Sequence, residues 1–178
     1  MGKMSSGAKA GLIGGLLVGI VAGAKTYLQM TFFKEEYMRI LRETLEEAFE
    51  KYGAQLPSGM SLDQLVEMSY NTGRIWGSVG AVIVFTIIGV IIGLVYALIY
   101  NKLPMKSPIF KALTLTLAIY IIWTVISETL AFGMGFPKPK TLPQWFIISG
   151  YIIGFVEYVL LGIIIGALHY KWYVSVAE

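Results

Sequence analysis

The sequence predicts an all-α integral membrane protein with four transmembrane helices. It arranges them as two parallel helical-hairpin repeats, with an extracytoplasmic helical insertion between helices 1 and 2. Three observations carry this. Of 178 residues, 56% are hydrophobic and 14% charged, with a mean hydropathy of +0.70. A soluble domain carries roughly 25% charged residues. Four separate stretches are apolar enough to cross a bilayer, and glycines recur along them at four-residue steps.

The same composition excludes other classes. The absence of cysteine rules out a disulfide scaffold, thiolate chemistry and iron–sulfur ligation. A single histidine, His169, rules out a multi-histidine metal site. The net charge of +3 is modest, so its placement matters more than its size.

A bilayer core of ~30 Å takes ~20 apolar residues as helix. The spans run over about 8–30, 75–100, 109–132 and 145–170. The first has a basic start, Lys3 and Lys9, and an Ala22-Gly23-Ala24 stretch like that of a secretory leader. It is read here as a retained span. Met1-Gly2 with Ser6 fits the short myristoylation pattern, but a four-span chain needs no lipid anchor. All of 1–178 then forms one membrane domain. Repeat one covers 1–104 with the soluble insertion 31–73, and repeat two covers 105–178.

Loop charge sets the orientation. The N-terminus (Lys3, Lys9) and the loop between spans two and three (Lys102, Lys106, Lys111) are basic without acids, and Lys171 follows span four. Residues 31–74 hold five basic residues against eight acids. The positive-inside rule places both termini in the cytoplasm of a cell-membrane protein, with residues 31–74 and 133–143 outside. Trp76, Trp123 and Trp145 mark or approach the outer interface, and His169 with Tyr170, Trp172 and Tyr173 forms an inner aromatic belt.

The insertion alone resembles soluble protein. Phe33, Tyr37, Leu41, Leu45, Ala48, Phe49 and Tyr52 recur at three- and four-residue steps, the pattern of an amphipathic helix over 33–52. With no Gly or Pro between Lys25 and Lys51, span one can run on into it, and Gly53 suits its C-cap. Leu56-Pro57-Ser58-Gly59 reads as a turn, and Ser61 with Gln64 as a capping box that opens a second, short helix. So small a segment needs a partner for its apolar face: a neighbouring helix, a copy of itself or the membrane surface. Pro137, Pro139 and Pro143 make the last outer loop stiff and extended.

Gly7, Gly11, Gly15, Gly19 and Gly23 lie nearly along one helix face and leave a groove without side chains. In lipid, close packing of small residues is a main source of helix association. This face is expected against another helix, of the same bundle or of a second subunit. Gly150, Gly154, Gly162 and Gly166 repeat the device around Tyr158, and Gly77, Ala81, Gly89 and Gly93 around Phe85. A shift of 73 residues superimposes these two sets. A weaker shift of 102 relates Lys9-Ala10 to Lys111-Ala112. Both hairpins run in, out and in, as parallel repeats about the membrane normal do.

Three ionisable residues fall inside spans, where each costs roughly 2.5–3.5 kcal/mol on insertion scales. Lys25, Glu128 and Glu157 share one depth if the helices are untilted. Glu128 tops a polar row of Thr116, Tyr120 and Thr124. Two explanations compete. The carboxylates relay or bind a proton or cation, or they bond Lys25, Tyr and Thr and fix the helix register; snorkelling of Lys25 and Glu128 to the outer surface is a third option.

No phosphate loop, metalloprotease motif, nucleophile with a histidine partner or nucleic-acid patch is present, so no catalytic, metal or cofactor site is expected. The expected partners are the lipid bilayer and either copies of itself or other membrane subunits, met through the glycine faces and the 33–52 helix. The leading expectation is a non-catalytic subunit or scaffold of a membrane assembly. The alternative is a small proton- or cation-linked transporter or channel using Glu157 and Glu128.

Overall fold

A computed structural model describes residues 2–53, 56, 59–133 and 143–174, with the side chains at 128, 130–133 and 174 outside that description. The turn expected through Pro57-Ser58 and the loop with Pro137 and Pro139 lie outside the described residues. Among the described residues the chain is all-helical: α1 Lys3–Phe32, α2 Lys34–Tyr52, α3 Leu62–Ile99, α4 Pro108–Gly133 and α5 Gln144–His169. A 3-10 turn over Tyr100–Lys102 extends α3, and a π-helical turn over Tyr170–Val174 extends α5. Four segments are long and apolar enough to cross a membrane: Lys3–Phe32, Leu62–Lys102, Pro108–Ser127 and Gln144–Tyr173.

α1 and α2 are nearly one helix. Only Phe33 leaves helical geometry (φ −110°, ψ 39°), and its N–H still donates to the Gln29 carbonyl at 2.9 Å. α2 ends at Gly53, whose left-handed φ of 61° suits a residue without Cβ. The Ser61–Gln64 capping box is reciprocal, with both bonds present. The helix that it opens is not a short separate one. It runs 38 residues as α3, about 57 Å, because no proline interrupts Leu62–Ile99.

α3 thereby supplies the partner that α2 needs. Arg42 of α2 pairs with Asp63, Lys34 lies 5.7 Å over the Tyr70 ring, and the buried Tyr70 hydroxyl donates to the Met30 carbonyl at 2.7 Å. α2 and the junction before it also rest on the start of α5, through Tyr37 on Phe146 and Phe33 on Trp145. No α2 residue is fully buried, but its apolar face, the exposed Tyr52 apart, is half-covered rather than open.

α1 packs along α3 for most of its length, α4 along α5, and the two pairs meet where α1 lies against α5. The first contact is the one that the glycines make. A Cβ at Gly7 would collide with Gly93, at Gly11 with Gly89 and at Gly15 with Phe85; at Gly23 it would come within 2.6 Å of the Ser78 carbonyl oxygen. The residue numbers rise on one helix as they fall on the other, so the pair is antiparallel with one register throughout. The face thus packs within its own chain, one of the two options left open by the sequence. On the α4–α5 side, Gly162 faces Leu113 and Thr116, and Gly166 faces Ile109 and Ala112.

Two glycines depart from the expected stripes. A Cβ at Gly150 would meet nothing within 4 Å, and one at Gly77 only the Thr26 methyl at 3.8 Å. Near Gly150 the α4–α5 spacing is filled by a tyrosine. A Cβ at Gly154 would come within 3.2 Å of the Tyr120 ring, whose hydroxyl donates to the Tyr151 carbonyl at 2.7 Å. The core lies between these helices and includes Val18, Ile92, Tyr96, Leu161 and Ile165.

Candidate functional site

The seam between α1 and α5 carries the one ion pair that the described residues place inside the apolar helices. Gly14 and Lys25 are eleven residues apart, about three turns, so they share a face. Glu157, Leu161 and Ile165 form the answering row on α5. A Cβ at Gly14 would come within 3.3 Å of the Leu161, Ile164 and Ile165 side chains. Three turns further along, Lys25 Nζ donates to Glu157 Oε1 at 2.7 Å. Above that, Phe33 meets Trp145. The Glu157 side chain is 8% exposed and that of Lys25 is 30% exposed. The carboxylate side chain is therefore enclosed, while the lysine side chain is partly exposed at the surface of the bundle. Carboxylate and ammonium neutralise each other in a setting where either alone is expensive.

The polar row of α4 does not join them. Thr116 is fully buried, but its hydroxyl donates to the Leu113 carbonyl of its own helix at 3.0 Å and faces Gly162. Tyr120 donates across to α5. Thr124 is half-buried, and its carbonyl accepts from Ser127. Thr116 and Tyr120 thus donate to backbone carbonyls and do not chain to each other. Glu128 lies on α4, and its side chain is outside the described residues.

His169 is not the interfacial anchor that the sequence suggested. It is fully buried, ringed by Tyr96, Tyr100 and Tyr173 at 5.1–5.3 Å between ring centroids. Neither of its ring nitrogens meets a hydrogen-bond partner among the described residues. Around this cage, Lys111 Nζ donates to the Tyr100 carbonyl at 2.8 Å and sits 4.1 Å over the Tyr100 ring, and Tyr96 donates to the Pro108 carbonyl at 2.6 Å. A signal was present: Gly162, Gly166 and His169 fall on one α5 face, and packing along the glycines carries the imidazole inward. Phe85 also meets Tyr158, ring centroids 6.0 Å apart, a pairing that periodicity within either helix does not encode.

No protein-family model, curated protein or solved structure matches this chain.

Proposed function

We propose that the chain is a non-catalytic integral membrane protein that serves as a subunit or scaffold of a larger or oligomeric membrane assembly. The observation that carries this reading is the Lys25–Glu157 pair. Its two charges satisfy each other at the seam between α1 and α5, where they hold the two helix pairs together. A transport carboxylate needs a path, and the hydroxyls of Thr116 and Tyr120 are spent on carbonyls. Partners would approach through the lipid-facing sides and the outer side of α2.

In this reading both termini are cytoplasmic and α2 lies outside. The chain is built as two hairpin repeats, α1–α3 and α4–α5. Two contacts support the repeat. Displacing α1 residues by 102 and α3 residues by 73 takes Gly11–Gly89 to Leu113–Gly162, and Gly7–Gly93 to Ile109–Gly166, both of which are contacts. Phe85 and Tyr158, equivalent under the shift of 73, touch each other, as residues beside a two-fold axis do.

The test is flux and stability in one set of variants. The parent protein in liposomes should pass no protons or alkali cations above empty vesicles. Lys25→Met should lower stability by about 2 kcal/mol, because it strands an enclosed carboxylate, and Lys25→Met with Glu157→Met should regain most of the loss. Parent flux that vanishes in Glu157→Gln would replace the scaffold by the proton- or cation-linked transporter.

A further inference from the structure

The two seams of a two-fold bundle should match, and here they do not. On one side α1 and α5 are in contact and carry Lys25–Glu157. The shifts of 102 and 73 take Lys25 to Ser127 and Glu157 to Val84, so the other seam, between α4 and α3, has no ion pair at these positions. There the helices touch little. Between them a groove of about 310 Å³ opens sideways, walled by Val84, Ile87 and Ile91 of α3 and Ile119 and Trp123 of α4, with Tyr158 as its floor.

The groove is lined by apolar and aromatic side chains throughout, but the α3 face that forms its wall changes character beyond it. The exposed α3 row Val84, Ile87, Ile91 continues through Leu98, seven residues on, to Lys102 one turn later. Lys102 and Lys106 are exposed on the connector that joins α3 to α4, Lys111 follows at the start of α4, and no acidic residue lies between Tyr96 and Leu113. From Lys102 to Ile91 is eleven residues, about 16 Å of helix, the reach of an acyl chain below its headgroup. An apolar slot whose α3 wall leads, about three turns on, to an exposed cationic connector complements a molecule with an anionic head and an apolar tail.

We propose that the α3–α4 groove holds an acyl chain of an anionic phospholipid from the leaflet at the Lys102–Lys106 end, with the phosphate against those two lysines. The bound chain takes the place, in the open seam, of the helix contact that closes the other. The inference rests on the membrane reading above.

The test uses the parent protein in nanodiscs of equal phosphatidylglycerol and phosphatidylcholine, with retained lipid read by native mass spectrometry. Roughly tenfold preferential retention of phosphatidylglycerol is expected, and Lys102→Gln with Lys106→Gln should remove most of it. Ile91→Phe, which fills the slot and leaves the lysines, should also release the lipid. Retention that survives Ile91→Phe would mean that the lysines alone hold a headgroup, and equal retention of both lipids would mean that there is no site; either result overturns the proposal. A second readout avoids dependence on these variants. With Trp76, Trp145 and Trp172 changed to Phe, Trp123 fluorescence should be quenched more by dilute brominated phosphatidylglycerol than by equally dilute brominated phosphatidylcholine. Equal quenching sinks the groove proposal, whereas no quenching by either lipid sinks the membrane reading itself.

Discussion

At the residue scale, two polar side chains are buried in opposite ways. Glu157 is enclosed and has its counter-charge at 2.7 Å, so its burial is compensated. His169 is enclosed by three tyrosines and has no hydrogen-bond partner for either nitrogen among the described residues, so its polarity goes uncompensated there. A buried polar group without a hydrogen bond costs about 1–3 kcal/mol. His169→Phe, which keeps a ring in the cage and removes the orphan nitrogens, should therefore hold or raise the melting temperature in detergent. His169→Ala, which empties the cage, should destabilise by about 3 kcal/mol. A His169→Phe protein that melts well below the parent would show that the imidazole has a polar partner after all. In sequence the neighbours Tyr170, Trp172 and Tyr173 suggest an interfacial imidazole. Which side of the helix faces inward is fixed by Gly162 and Gly166 instead.

At the element scale, glycine sets how closely helices approach. Along α1–α3 the backbones themselves are in contact: Gly11 and Gly89 each occupy the space that the other's Cβ would need. Along α4–α5 a Cβ at Gly162 or Gly166 would also meet α4 backbone, but one at Gly154 would meet only the Tyr120 side chain and one at Gly150 nothing. Equal sequence signals thus give unequal helix spacing. Gly11→Ala should force α1 from α3 and lower the melting temperature clearly, whereas Gly150→Ala, with open space around its Cβ, should leave it unchanged. Equal melting of the two variants would remove the close α1–α3 approach from the account. The long α3 belongs to this scale as well. A capping box and a proline-free run were both readable, yet the change from polar to apolar composition near Ile75 suggested a boundary that the backbone does not make.

At the scale of the whole molecule, charge divides the bundle end from end. Eight acids accompany α2 and the start of α3, while Lys3, Lys9, Lys102, Lys106 and Lys111 gather at the other end. The positive-inside reading makes this an orientation, and the cysteine-free chain makes it measurable. Glu46→Cys should react with an impermeant maleimide on intact cells. Lys106→Cys should react only after permeabilisation. The reverse pattern would invert the topology and move the lipid proposal to the outer leaflet.

Composition and periodicity by themselves determined that the chain is helical, that four of its segments are long and apolar enough to span a membrane, and that Lys25 and Glu157 needed an explanation. These are local properties: each follows from the cost of apolar side chains in water or of charges in an apolar span. Only the tertiary structure decided that Lys25 takes Glu157, that the α1 glycines meet α3 of the same chain, that α2 leans on an extended α3, and that one seam closes while the other stays open. Each of those depends on the relative rotation of two helices. That rotation is set by side-chain packing between residues far apart in the chain, which helical periodicity along one segment does not encode.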